Sequence, residues 1–451
     1  MMKPPKTRKS SKLSRRDFLK SAAALSAGAV AWQTASGMAS PSRKHDIMSS
    51  AFPPMQGESW EWQAPPGRPF PIIAWLGPPP DLLRDSAWKD MAQAGFNLCQ
   101  PQNFADPESN RKALALGKKH GLGLLLRDRR IIYRQGKSFS DYKIKATVRD
   151  WASHPALAGY SLEDEPGKGE FDELARIREA LARLDPGHWS YVNLFPNYAT
   201  PQQLGTESYT DHVESFMETF RPFVLSYDHY CIVGDSVRPE YYENLEVIRA
   251  AALKKERPFW AFTLSTPHYS YPQPTEGHLR FQLYSNLAYG AKGLQYFTYG
   301  PALDHNGLID SLGNTTRTYK LAAKINGEIQ RMGPILLTLT STEVFHTDPQ
   351  PRATRRFEGC GGVAKCSGAP AVLGFFDGPE GQKYVMIVNR NPFGPAELSV
   401  RFSRDVRSVA TVNRADQGGT FNEVELKDGR ELGLSLAAGD GRLFTLKTDG
   451  P

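Results

Sequence analysis

The segment 157-LAGYSLEDEPGKGEFDELARIREALARLDPGHWSYVNL-194 decides the architecture. It opens on a short apolar run, Leu157–Leu162, of strand length. It continues through Glu170–Leu184, whose apolar residues recur at helical spacing, and closes on a second strand-like run, Trp189–Leu194. Strand, helix, strand in that order is the repeating unit of a parallel sheet covered by helices.

The same unit recurs on both sides. Runs that read as buried strands occur at Pro71–Leu76, Gly95–Gln100, Gly121–Arg127, Phe223–Tyr227, Phe259–Leu264 and Gly293–Phe297, with helical segments such as Arg238–Lys254 between them. Eight units over residues 69–334 predict an α/β protein built on a (β/α)8 TIM barrel. An open doubly wound sheet is the rival, but it calls for a Gly-rich phosphate loop after the first strand, and that strand ends in Gly77-Pro78-Pro79-Pro80. Helical periodicity stops near Ile335. Short alternating runs follow at Val372–Phe376, Tyr384–Asn389, Glu397–Phe402, Ser408–Asn413 and Gly441–Leu446, separated by turn residues. Residues 335–451 are therefore expected to form a small C-terminal antiparallel β-sandwich. It gathers no titratable cluster and is expected to be structural or sugar-binding.

The N-terminus reads Ser14-Arg15-Arg16-Asp17-Phe18-Leu19-Lys20, followed by the Ala-rich stretch Ser21–Met38 and small residues at Ala39-Ser40. A basic region, an apolar core and a small-residue cleavage site make a secretory signal over residues 1–40. The arginine pair resembles the twin-arginine signal. The expectation is export by the Tat translocase to the periplasm or beyond, without a membrane anchor after cleavage. The apolar run is short and small-sided for a bilayer span. Residues 41–68 are Pro-rich and polar, and read as a linker.

The net charge of +7 belongs to this segment: residues 1–40 hold eight of the 55 Lys and Arg but one of the 48 Asp and Glu. The rest is neutral, which removes the electrostatic case for a nucleic-acid partner. Of four cysteines, Cys99 and Cys231 sit in or beside apolar runs as buried thiols, while Cys360 and Cys366 flank a turn where export permits a disulfide. No Cys/His cluster has metal-site spacing, and no cofactor motif is present.

In a barrel of this type the chemistry lies at the C-terminal ends of the strands. The fourth strand ends in Glu163-Asp164-Glu165-Pro166. Three consecutive carboxylates repel one another, and a solvated, helix-capping loop explains only one of them. A general acid with a raised pKa explains the cluster better. Strand alternation puts Glu163 and Glu165 on one face and Asp164 on the other, with Arg127 at the end of strand three placed to neutralise Glu163. Trp75, His229, Tyr230, Trp260, Tyr296 and Tyr299 lie at or near strand ends, where aromatic faces stack on pyranose rings. Gln100, Asp128 and Asn193 are candidate ligands for sugar hydroxyls.

Gly-Tyr-x-Leu-x-Asp-Glu-Pro on strand four resembles the motif of the clan A glycoside hydrolases, in which the final Glu is the acid/base; Glu165 takes that position and Asp164 that of the usual Asn. Thr275–Arg280 and Gly290–Tyr299 are similar to the seventh helix and eighth strand of family 42-like β-galactosidases. Tyr319–Pro334, with Asn326 and Glu328, resembles their closing helix, and Leu436–Leu446 the last strands of their accessory sandwich. The resemblance implies a glycosidase acting on a saccharide. One departure stands out. Those enzymes carry a nucleophilic Glu at the end of strand seven, and Pro258–Ser265 contains no carboxylate. Asp228, at the end of strand six, is the candidate second carboxylate. Asp164 is the competitor, because families 20 and 123 use an Asp-Glu pair in which the Asp steers the substrate's own acetamido group. A non-catalytic carbohydrate-binding protein on a hydrolase scaffold is the rival from another class.

Overall fold

The computed structural model describes residues 69–102, 106–132, 140–415 and 420–448; the signal segment and the linker lie outside the described residues. Eight parallel strands, β1 (Ile72–Trp75), β2 (Leu98–Gln100), β3 (Gly123–Leu126), β4 (Leu157–Asp164), β5 (Trp189–Leu194), β6 (Leu225–Tyr227), β7 (Phe259–Leu264) and β8 (Gly293–Phe297), pair in sequence order, and β8 closes onto β1. Helices α1 (Asp85–Gln93), α2 (Pro107–His120), α3 (Asp141–Trp151), α4 (Phe171–Leu184), α5 (Tyr209–Thr219), α6 (Tyr241–Lys254), α7 (Glu276–Ala288) and α8 (Arg317–Thr338) cover it. The protein is a (β/α)8 barrel. Local signals end its helices where the chain must turn. At α2, Asp106 accepts from the Glu108 and Ser109 amides, Pro107 sits in the first turn, and Gly121 ends the helix at φ 72.

Side chains alternate between two cores. Ile73, Trp75, Leu125, Trp189, Tyr191, Trp260 and Phe262 fill the barrel interior, and a larger cluster packs strands against helices. Trp189 meets Trp260 edge-on at 5.3 Å and stacks on Phe223 at 5.2 Å. A Cβ at position 293 would collide with the Trp260 indole, so Gly293 is what admits that ring. Trp260, expected at the mouth, is therefore a deep plug, since it sits near the start of β7.

α8 runs through Pro334 to Thr338, past the expected boundary at 335. A proline inside a helix removes one donor and crowds the carbonyl four residues back, here that of Gln330, without having to end the helix. Past it, Lys292 donates to the carbonyls of Leu336 and Leu339 at the helix end.

Beyond it, β9 (Thr340–His346), β10 (Val363–Gly368), β11 (Ala371–Asp377), β12 (Lys383–Asn389), β13 (Ala396–Phe402), β14 (Val406–Val412), β15 (Phe421–Glu423), β16 (Glu431–Leu436) and β17 (Gly441–Thr448) form two sheets, β9-β11-β12-β17-β14-β15 and β10-β13-β16. All their pairings are antiparallel, as a sandwich requires. Cys360 and Cys366 are free thiols, as are the buried Cys99 and Cys231.

The sandwich docks on α7, where a Cβ at Gly374 would strike the Ala288 backbone. A buried ion network fastens the two. Arg280 on α7 donates to Glu276 at 2.8 Å, to both oxygens of Glu328 on α8 at 2.7 and 2.8 Å, and to Asp440 of the sandwich at 2.9 Å. Arg414 grips both Asp440 oxygens at 2.9 and 3.0 Å. Breaking such a set from one side strands buried charge. Arg280→Ala is expected to lower unfolding free energy by roughly 3–5 kcal/mol, read by denaturant titration; a loss below about 1 kcal/mol, the value of an exposed pair, would show that the network does not fasten the two units.

Candidate active site

The acidic end of β4 does not keep the alternation its sequence suggests. Ser161 pairs with Tyr191, but the next partners are Glu163 with Val192 and Asp164 with Asn193, so the register slips by one residue at Leu162. Such a bulge re-aims every side chain after it. Ser161 points inward, its hydroxyl on Gln100 Oε1 at 3.3 Å. After the slip it is Asp164 that reaches the interior row. Extended geometry then ends at once, because Glu165 has φ 53 and its amide donates to the Asn193 carbonyl at 2.8 Å. The expected sharing of one face by Glu163 and Glu165 is corrected accordingly.

Asn193 organises the interior row. Its Nδ2 donates to Asp164 Oδ1 at 3.2 Å and to Asp228 Oδ1 at 2.9 Å, while Ser226 donates to its Oδ1 at 2.9 Å. Gln295 Nε2 donates to the Ser226 hydroxyl at 2.8 Å, and Tyr191 donates to Gln295 Oε1 at 2.7 Å. The chain from β8 through β6 to β5 thus fixes which end of the Asn193 amide faces the acids. Two carboxylate oxygens bound to one nitrogen can be no farther apart than those two bonds laid end to end. Asp164 and Asp228 are therefore close neighbours at the C-terminal ends of β4 and β6, and Asp228 is 1% exposed.

Glu163 faces Arg127, with 3.7 Å between its Oε1 and the guanidinium, and the same oxygen accepts from the Asp164 amide at 3.0 Å. Burial pushes its carboxyl up to about 7, against the pull of Arg127. A proton held near neutral pH thus lies one residue from Asp164.

The other expected ligands divide. Gln100 is fully buried at the end of β2, and its Nε2 has no hydrogen-bond partner among the described residues. Trp75 lies in the interior against Tyr191 and Phe262 at the C-terminal end of β1. Tyr230 packs on Phe297 at 5.5 Å, at the ends of β6 and β8. The rest are turned away. Asp128 is consumed by Arg130 and by the Trp151 indole at 2.7 Å. The Tyr296 hydroxyl reaches back to Asn326 of α8 at 2.7 Å, and Tyr299 reaches the Ala87 carbonyl of α1 at 3.4 Å. Both belong to the outer core, since the alternation that puts Gln295 and Phe297 inside puts Tyr296 outside. His229 is wedged between Tyr198 and Tyr241, where burial lowers its pKa to about 3 and keeps it neutral.

Sequence reasoning missed Ser226, Tyr191 and Gln295, although a polar residue inside an apolar strand such as Gly293–Phe297 is a usable signal. It also missed His268, which follows β7 and packs on Tyr230 and Phe297 at 6.2 and 5.7 Å. No local pattern marks that residue. Among the described residues no group of three or more His, Cys, Asp and Glu is arranged to hold a metal ion.

Residues 12–32 match the model of the twin-arginine translocation pathway signal sequence. The chain carries an export signal. No curated protein matches it. Among solved structures it is similar to a glycoside hydrolase at 12% identity and a TM-score of 0.53, over 84% of this chain and 93% of that one. It is also similar to a glycoside hydrolase family 5 protein from Bacteroides vulgatus at 12% identity and a TM-score of 0.51, over 85% and 90%. At that identity the likeness is one of fold. Among the described residues no helix is long and apolar enough to cross a membrane.

Proposed function

We propose that the protein is an exported glycoside hydrolase that cleaves O-glycosidic bonds at the mouth of the barrel. The observation that carries the reading is the Asn193 amide holding Asp164 and Asp228 together, while the Asn193 carbonyl accepts from the backbone amide of Glu165. Two fixed carboxylates and a third at the strand end suit a reaction that protonates the leaving oxygen and stabilises an oxocarbenium-like carbon. Glu165 donates the proton to the glycosidic oxygen. Asp228 acts on the anomeric carbon, directly or through a water that it deprotonates. Gln100 Nε2 offers a donor to a sugar hydroxyl. The solved structures of similar fold, both glycoside hydrolases, support the same reaction class.

For the sugar, a β-galactosidase-like activity follows the resemblance of β4 and β8. A specific observation favours a second reading: the register slip brings Asp164 inward, where it can orient a 2-acetamido group. The purified mature protein is expected to hydrolyse at least one aryl glycoside in a panel that includes β-galactosides and N-acetyl-β-hexosaminides. Activity confined to N-acetylhexosaminides, with retention and inhibition by a thiazoline, assigns Asp164 the assisting role. Saccharide binding without turnover of any member makes the protein a carbohydrate-binding module on a hydrolase scaffold.

A further inference from the structure

The loop after β7, which supplies no acid, supplies a strained aromatic residue. His268 to Tyr271 form a two-residue turn closed by the Tyr271 amide on the His268 carbonyl at 2.9 Å. Its first central residue, Tyr269, has φ 49, and the second, Ser270, is not among the positive-φ residues. That is the turn position where glycine is preferred. A bulky aromatic residue there carries backbone strain that the surroundings must impose.

They do so from three sides. Ser270 accepts from the Gly234 amide, in the small hairpin of Ile232–Val233 and Ser236–Val237, at 3.2 Å. Arg238 donates to the Tyr271 hydroxyl at 3.3 Å while lying over the Tyr198 ring at 4.5 Å. Thr266 donates to the Asn306 carbonyl of the loop after β8 at 2.6 Å. The strained turn is thus held from three sides, and what it holds out is a tyrosine that is 66% exposed.

The ring is placed on a path. Tyr230 follows Asp228 closely in the chain at the end of β6 and packs on Phe297 at the end of β8; His268 packs on both; Tyr269 packs on His268 at 5.4 Å. Two other exposed large apolar side chains, Tyr142 and Leu312, follow β3 and β8 on the same face of the barrel.

We propose that Tyr269 is the stacking platform of an outer saccharide subsite, and that the substrate is an oligosaccharide or polysaccharide whose chain runs from the barrel mouth over this turn. This rests on the reading of the mouth as a glycosidase site. An aromatic face covers the apolar face of a pyranose, and the held turn spares the cost of ordering the backbone beneath it. Tyr269 is then a specificity residue, apart from the carboxylates that act on the bond.

Tyr269→Gly tests this without threatening the fold, since glycine adopts φ 49 without strain. Its Tm should stay at or above that of the parent. Its kcat/KM on oligomers of the preferred sugar should fall roughly ten-fold, equivalent to about 1.4 kcal/mol. On the aryl monoglycoside of that sugar it should be unchanged, and Tyr269→Phe should keep both activities. Equal losses on short and long substrates, or no loss on either, overturn the platform. If the parent cleaves neither substrate, the hydrolase reading fails by itself. The platform is then judged by affinity electrophoresis in soluble galactan and glycol chitin gels. Retardation of the parent that Tyr269→Gly abolishes supports it, and unretarded parent or unaltered retardation overturns it.

Discussion

Glu165→Gln cuts turnover of unactivated glycosides by the ~10²–10⁴-fold that a positioned general acid contributes, while aryl glycosides with good leaving groups lose far less. The asymmetry is the informative part. A leaving group that departs as a stable anion needs no proton, so removing the donor leaves its bond cleavage nearly untouched. Glutamine keeps the shape of the side chain, and the Glu165 backbone is anchored separately through its amide on Asn193. A Brønsted series of aryl glycosides reads the result. Equal loss across the series would give Glu165 a binding role. Glu163, whose carboxyl burial lifts to about 7, is the neighbouring proton source. If it is the donor, Glu163→Gln shows the leaving-group dependence and Glu165→Gln does not.

Asp228→Asn is expected to reduce turnover by a comparable ~10²–10⁴-fold, on good and poor leaving groups alike. The group that acts on the anomeric carbon is needed whatever departs. The local structure should survive, because the side chain is the same size and its remaining oxygen can still accept from Asn193 Nδ2. The stereochemistry of the parent's first product, followed by NMR, states which role is lost. Retention requires catalytic carboxyls about 5–5.5 Å apart and a covalent intermediate, and inversion about 6.5–9.5 Å with a water between. Activity of Asp228→Asn near that of the parent, together with collapse of Asp164→Asn on N-acetylhexosaminides, would transfer the role to Asp164.

The sequence by itself determined the barrel, because a strand buried on both faces and a helix with one apolar stripe leave different periodicities, and eight alternations of the two admit few closed arrangements. It also located the export signal, a linear code read before folding, and marked the ends of β4 and β6 as the places where acids gather. The tertiary structure alone decided which way those acids point. The slip at Leu162 depends on how β4 meets β5, a contact between segments some thirty residues apart in the chain, and one residue of slip exchanges inside for outside. The same limit explains Tyr296, Tyr299 and Asp128, whose residue types suited a sugar but whose partners on α1, α3 and α8 claimed them. It also explains Tyr269. Sequence shows a tyrosine in a Pro-rich loop, whereas its left-handed backbone and its place beside the mouth exist only once β7, β8 and the hairpin after β6 have packed around it.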